Sequence, residues 1–290
     1  MELNLDLHLH SRASYDGRMG VEEIAAAAKA RGLDAVAVCD HDVVYTGPKQ
    51  VDGIWIIPGA EFSTEHGHLL GLFLEETMVH TTWEETTGAI RRQGGLTVLA
   101  HPFQRPRPAE VLEPLVPTLD GVEVWNGRAN RKNPQANAQA AAFARRQGLV
   151  PTAGSDAHLP QEIGNGRLRL TVEEVSLESI RGAILAGQGA IAGREGPALC
   201  VARSQWTKLR KTHAPLPRYG KWAAFALKCA WQDGKNHHGK EIGRHVPDRK
   251  SGKSGQEGGQ TLPARGETPY QLYPAHRAGE DGPAPGGHDL

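Results

Sequence analysis

The chain opens on an alternation: Leu3, Leu5, Leu7 and Leu9 are interleaved with Asn4, Asp6, His8 and His10. A period of two fits a β-strand and not a helix. In that strand His8 and His10 point to one side and the leucines to the other, so two imidazoles enter one space with little reorganisation. A lone His-x-His is as readily a pair of hydrogen-bonded polar residues at a strand end. Other strands must deliver similar groups to the same place before a metal centre is the better reading.

They do. Residues 20–31 read as an alanine-rich helix stopped by Gly32, and a strand over 35–39 then delivers Asp40-His41-Asp42. Strand–helix–strand order implies a parallel sheet. A strand at 54–57 runs on through Pro58-Gly59 to Glu61-Phe62-Ser63, and 67–74 is a strand with His68 at its beginning. A helix over 81–93 ends at Gly94-Gly95, and a buried strand at 96–100 finishes on His101-Pro102-Phe103. A proline-broken region holds a short helix over 109–116. Then come a strand at 121–126, a helix over 134–147 closed by Gly148, and a strand at 149–153 leading into Gly154-Ser155-Asp156-Ala157-His158. Ser176 is a candidate N-cap for a last helix to residue 186, and 189–192 a final strand.

His8/His10, His41, Glu61, His101 and Asp156/His158 thus lie at or just past strand ends, and in a parallel barrel those ends share the face on which active sites are built. With Asp16 and His68 the candidate ligands number nine. One ion takes about four to six, so the set fits two or three divalent ions and needs a bridging carboxylate. Imidazoles do not bridge, which leaves Glu61 and Asp156. Imidazole and carboxylate without thiolate suit Mn, Zn or Fe. Ions about 3.5–4 Å apart can stabilise both oxygens of an in-line displacement and lower the pKa of bound water to roughly 7. No Ser-His-Asp arrangement or phosphate-cradling glycine loop offers a competing mechanism.

Taken in order, Asp6-Leu7-His8-Leu9-His10-Ser11 with Asp16-Gly17, Cys39-Asp40-His41-Asp42, Glu61-Phe62-Ser63, Gly67-His68, Ala100-His101-Pro102 and Gly154-Ser155-Asp156-Ala157-His158 resemble the PHP (polymerase and histidinol phosphatase) family of metal-dependent phosphoesterases. The likeness runs from residue 1 to about 195. It implies an α/β fold, a distorted (β/α)7 TIM-like barrel with a dinuclear or trinuclear centre at the strand C-termini. By position it implies His8, His10, Glu61 and Asp156 around one ion, with Glu61 bridging to a second held by His68 and His101. Asp16, His41 and His158 would hold a third. Asp16, His41, Glu61, Asp156 and His158 are thereby expected to serve catalysis as well as metal binding. The family's first-loop ligand is often His; an Asp there is shared with its small-phosphoesterase branch. The activity implied is hydrolysis of a small phosphorylated substrate, such as a nucleotide or nucleoside bisphosphate, by metal-activated water. The alternatives are an exonuclease or polymerase-associated domain acting on nucleic acid, a non-enzymatic scaffold, and an amidohydrolase-type enzyme. Nine ligands kept in phase count against the scaffold. The lack of a strand lysine suited to carboxylation counts against the amidohydrolase.

A phosphoester also needs cations for its non-bridging oxygens. Arg12, Arg105, Arg107, Arg128, Arg131 and Lys132 flank the ligand-bearing strand ends, and Arg105, Arg128 and Arg131 are the candidates taken forward. Trp125 is expected in the core or at the rim, and His66 and His80 at the surface.

Zero net charge hides a division: residues 1–196 hold 18 Lys+Arg against 25 Asp+Glu, whereas 197–255 hold 13 against 3. The basic extension, 196–232, is expected to form short helices at 205–211 and 219–231, with Trp222, Phe225, Ala226 and Cys229 at helical spacing. That pattern reads first as an amphipathic helix docked on the barrel and second as a basic-aromatic surface for nucleic acid. From 233 to 290 the composition holds too few large apolar groups to offset a chain entropy of ~1–2 kcal/mol per residue, so a disordered tail is expected. His237-His238 within it is assigned no role. No apolar run reaches membrane-spanning length, and the start lacks the features of a signal peptide. Cys39, Cys200 and Cys229 are far apart and read as reduced thiols, so a cytoplasmic location is expected.

Overall fold

The leucine–histidine alternation forms β1 (Glu2–Leu9), in which both faces are buried: Leu5, Leu7 and Leu9 on one, Asp6 and His8 on the other. A strand buried on both faces belongs inside a sheet covered by other elements, which is where this one lies. The computed structural model describes residues 1–78 and 82–242, with side chains to Lys235. His80 and residues 243–290 lie outside the described residues.

After β1 come α1 (Val21–Ala30), β2 (Ala35–His41), the short β3 (Gln50–Val51), β4 (Ile54–Thr64) and β5 (Gly67–Leu72). They are followed by α2 (Trp83–Arg92), β6 (Leu96–Leu99), β7 (Gly121–Asn126), α3 (Ala136–Gln147) and β8 (Val150–Gly154). β9 (Gly166–Thr171), α4 (Leu177–Leu185), β10 (Gly189–Gly193), α5 (Ala198–Lys211) and α6 (Leu216–Ile242) complete the described chain. The sheet order is β10-β9-β1-β2-β4-β5-β6-β7-β8, with β3 on β4. β1, β2 and β4 pair in parallel, as do β6, β7 and β8. The two edges meet: Leu9 bridges Ala157 in parallel, Asp156 N donates to His8 O at 2.7 Å and His10 N donates to Ala157 O at 2.8 Å. The result is a nearly closed, distorted barrel, the architecture expected from the sequence.

The distortion has a local cause. Only Glu65 and His66 separate β4 from β5, and a parallel crossover needs a dozen or more residues, so β5 runs antiparallel to both neighbours. An antiparallel strand begins where its neighbours end, which is why His68, at the start of β5, still reaches the common face.

The helices follow their sequence signals. Thr82 caps α2 by accepting from Glu85 N, Ser176 caps α4 by accepting from Ser179 N, and Gly148 ends α3 in the left-handed conformation at φ 66°. The short helix expected over 109–116 is instead two 3-10 turns, Ala109–Val111 and Glu113–Thr118. Pro114 and Pro117 supply no N–H for an α-helical ladder there. β9 was not foreseen, although Leu168 and Leu170 alternate with Arg167 and Arg169 in the same two-residue period as β1.

The extension also departs from expectation. α5 begins at Ala198, and α6 runs past Asp233, where a disordered tail was expected, to Ile242. Asp233 explains the register: its carboxylate accepts from Ala198 N (2.7 Å) and Leu199 N (2.9 Å), capping the N-terminus of α5. Trp222 donates to Ala202 O at 2.7 Å and packs on Trp206, while Ala226 and Cys229 meet Ala198 and Ala202. α6 therefore docks on α5, where a helix docked on the barrel was expected, and Phe225, expected on its packed face, is 39% exposed. The three cysteines are free and buried. Among the described residues no helix is long and apolar enough to cross a membrane.

Candidate metal centre

β1 and the loop after it, β2, β4, β5 and the turns after β6 and β8 bring all nine candidate ligands to one end of the barrel. Glu61 stands at the middle, 1% exposed. Its Oε1 lies 2.6 Å from His68 Nδ1 and 2.9 Å from His101 Nε2. Its Oε2 lies 3.5 Å from His8 Nε2, 3.4 Å from His10 Nε2 and 2.9 Å from His41 Nδ1. The two oxygens thus face two different sets of imidazoles. Asp156 Oδ1 is 3.3 Å from His10 Nε2, and Asp16 Oδ1 is 3.2 Å from His158 Nε2 and 3.6 Å from His41 Nε2.

Three groupings place their ligand atoms within 4.8 Å of one another: His8, His10 and Asp156; His8, Glu61 and His101; His10, His41 and His158. The imidazoles are aimed by partners on their other nitrogen. His8 Nδ1 donates to Glu123 Oε1 (3.0 Å), His10 Nδ1 to Ser14 Oγ (3.0 Å) and His158 Nδ1 to Asp156 O (2.9 Å). Each bond leaves Nε2 facing the centre, the arrangement that fixes a metal-binding tautomer. Among the described residues, His8 Nε2, His10 Nε2 and Asp16 Oδ1 are buried without a hydrogen-bond partner. Buried polar atoms are rarely left so. Their convergence with Glu61 and Asp156 fits divalent cations bound by nitrogen and oxygen.

Charge distribution agrees with that fit. Burial alone would raise the pKa of Glu61, but His8, His68 and His41 outweigh it and hold the carboxyl well below its usual range. Asp156 is depressed in the same way, burial being overcome by His8, His10 and His158. Burial, reinforced by His158 and His41, takes His10 down to about 3, so this imidazole is neutral and free to donate its lone pair. At His41 burial is outweighed by Glu61 and Asp16, and the pKa rises to about 10. Two of the candidate ligand residues hold left-handed backbone, His101 at φ 27° and Asp156 at φ 55°. Non-glycine residues adopt that region only where the surroundings impose it.

Glu123, Asp40, Asp6 and Asn126 belong to the site and were missed as functional residues. Glu123 receives His8 Nδ1–H, His101 N (2.9 Å) and Asn126 Nδ2 (3.0 Å), so one buried carboxylate orients two candidate ligands, one on β1 and one in the turn after β6. Asp40 accepts from Ser11 N, Ser11 Oγ, Ser14 N and Ser14 Oγ, which shapes the loop after β1. Asp6 accepts from Ser155 N and Gly164 N at 2.8 Å and ties that end of β1 to the turn after β8. The usable signal was a carboxylate inside an otherwise apolar strand: Glu123 is flanked by buried Val122 and Val124. Glu123→Gln is expected to weaken divalent-ion affinity about 10–100-fold with the fold retained, measurable by competition with a chelating dye.

The arginines divide. Arg105 is exposed and, with Arg107 and Lys132, lines a cleft of about 380 Å³ that His68 and His101 border. Arg128, expected to meet a substrate phosphate, is committed elsewhere. Its Nε and Nη2 donate to Glu162 at 2.8 and 2.5 Å and its Nη1 to Ser204 at 3.2 Å. Glu162 in turn accepts from His158 N, so Arg128 supports a ligand turn. Arg131 has a buried Nε without a partner. Trp125 is core, 3% exposed, and donates to Asn165 O. His66 is at the surface.

The fold is that of a class of metal-dependent phosphoesterases, its candidate ligands could hold metal, and comparison with known proteins agrees on the class. Residues 6–100 match the PHP domain and residues 134–188 the PHP-associated family. An uncharacterized protein of Methanocaldococcus jannaschii is 34% identical over 140 residues, 43% of this chain and 82% of that protein. A two-domain protein of Bacteroides vulgatus described as containing a PHP-like metal-dependent phosphoesterase superposes with a TM-score of 0.54. It is 22% identical, over 71% of this chain and 70% of that one. The lesion-specific endonuclease Q of Pyrococcus furiosus gives a TM-score of 0.50 and 21% identity, over 64% of this chain and 56% of its own. The chain belongs to the PHP family.

Proposed function

We propose that this chain hydrolyses a phosphoester of a small substrate at a centre of two or three divalent ions, Mn, Zn or Fe. The observation that carries the reading is the division of Glu61: one oxygen faces His68 and His101, the other His8, His10 and His41. His8, His10, Glu61 and Asp156 would hold one ion, Glu61, His68 and His101 a second, and Asp16, His41 and His158 a third. Bound there, the ions supply Lewis acidity to the phosphoryl group and acidify a water to a pKa of roughly 7.

The remaining work falls to the chain itself. Glu61 and Asp156 place negative charge at fixed points inside a ring of imidazoles. Glu123, Ser14 and the Asp156 carbonyl hold the rings so that no reorganisation is needed when charge develops. Arg105 and Lys132, at the cleft, would neutralise non-bridging phosphate oxygens. A cleft of about 380 Å³ is the size of a small-molecule pocket.

A nucleic-acid substrate is the second reading, favoured by the fold shared with endonuclease Q. Against it, two lysines of the extension are already spent on the barrel: Lys211 on loop carbonyls and Lys208 on the Tyr15 ring. Elemental analysis of protein purified without added metal, joined to a phosphate-release screen over nucleotides, sugar phosphates and oligonucleotides, tests both. Small-substrate hydrolysis with KM nearly flat in salt is expected. Binding that falls steeply with salt, as a multi-phosphate track requires, would favour nucleic acid, and a protein that takes up no metal would sink both readings.

A further inference from the structure

Ser204, Lys208 and Lys211 are spaced by four and three residues, so they leave one face of α5. All three land beside the metal centre. Ser204 meets Arg128, whose Glu162 partner holds the His158 turn. Lys208 Nζ lies 4.3 Å from the centre of the Tyr15 ring, and Tyr15 stacks on His41 at 4.6 Å with the rings 6° from parallel. Lys211 Nζ donates to Arg12 O (2.7 Å), Ser14 O (2.7 Å) and Gly17 O (2.9 Å).

An ammonium has three N–H donors, and here each goes to a carbonyl of the single loop that joins β1 to α1. That loop carries Asp16, the acid facing His41 and His158. Asp40 fixes the beginning of the loop through Ser11 and Ser14, and Arg12 N bonds Met19 O across its neck. Around Asp16 itself, the carbonyls on either side of it, those of Ser14 and Gly17, converge on Lys211.

We propose that Lys211 is a positioning residue. Its ammonium gathers three carbonyls of the Asp16 loop, so that ion binding at the Asp16–His41–His158 position depends on helix α5. The dependence on an ion rests on the metal reading above; the anchoring of the loop does not. An arginine would not substitute, because a planar fork cannot bring three donors to one point.

The test uses the full chain as wild type, Lys211→Met and Lys211→Arg. In chelator-treated protein, amide hydrogen exchange over residues 12–19 should run about tenfold faster or more in Lys211→Met, as expected for losing charge-assisted hydrogen bonds. Exchange in β1 and β2 should be unchanged. On titration with Mn2+ alone, Lys211→Met should bind one ion fewer per chain than wild type, and Lys211→Arg should behave like Lys211→Met. Unchanged loop exchange, equal acceleration throughout β1 and β2, equal ion uptake, or full recovery in Lys211→Arg would each overturn the proposal. A wild type that binds no Mn2+ would remove the metal reading, while the exchange data would still decide whether Lys211 anchors the loop.

Discussion

Glu61→Gln will empty two ion positions at once and lower phosphoester hydrolysis on the order of 1,000-fold, because ions at such a site supply several kcal/mol of charge stabilisation at 1.36 kcal/mol per tenfold. The substitution is nearly isosteric, and Glu61 lies on β4 between strands that pair over their whole length, so the barrel should persist. What it removes is the negative charge lying within 3.5 Å of five imidazoles. An amide offers one weakly basic oxygen in place of two equivalent ones, so it can serve one side of the centre but not both. Asp16→Asn supplies the contrast: it touches only His41 and His158 within the ligand set, and should cost one ion and leave the others. Metal content and circular dichroism measured on the same samples check the prediction. Glu61→Gln protein that retains its full complement of ions would show that the carboxylate does not bridge.

How much of this could be read from the chain itself follows from what each feature depends on. His8 and His10 were legible because a two-residue period is local, and so were His41, His101 and Asp156, because each ends an apolar run that has to be a strand. His68 was legible only as a histidine at a strand start. That it shares the face with residues at strand ends depends on β5 running backwards, a consequence of the two-residue turn at Glu65 and His66. Glu123 was hidden by the rule that found the others, since a strand interior reads as core and its acid points at a histidine 115 residues earlier. Arg128 failed for the converse reason. Its position just past the end of β7 was read correctly, but the partner that claims it, Glu162, comes from a turn with no sequence signal of its own. The basic extension read first as a helix docked on the barrel and only second as a surface for nucleic acid. Composition counts charges without saying that Lys211 and Lys208 are turned toward the chain's own loop and ring.

Closure of the barrel brings β8 hard against β1 at a glycine, and Gly154→Ala should be strongly destabilising. A Cβ at this position would lie 2.3 Å from His8 Cβ, 2.9 Å from His8 N and 2.8 Å from Glu123 Oε1. None of these neighbours can move freely, since His8 is held by Asp156 N on its carbonyl and by Glu123 on its ring, and Glu123 by three hydrogen bonds. Overpacking of this kind costs about 3 kcal/mol, or a fall in Tm of roughly 6–12 °C for a domain of this size. β8 must then draw away from β1, carrying Asp156 from His10 and weakening the bond from Asp156 N to His8 O, so ion affinity should fall along with stability. Gly182 on α4 provides the control, because a Cβ there meets nothing within 4 Å and alanine should stabilise the helix by roughly 0.5–1 kcal/mol. Thermal melts with and without Mn2+ separate the two consequences. If Gly154→Ala melts like wild type, the close approach of β8 to β1 does not hold the ligand strands together, and the geometry of the metal centre must be maintained by the turns alone.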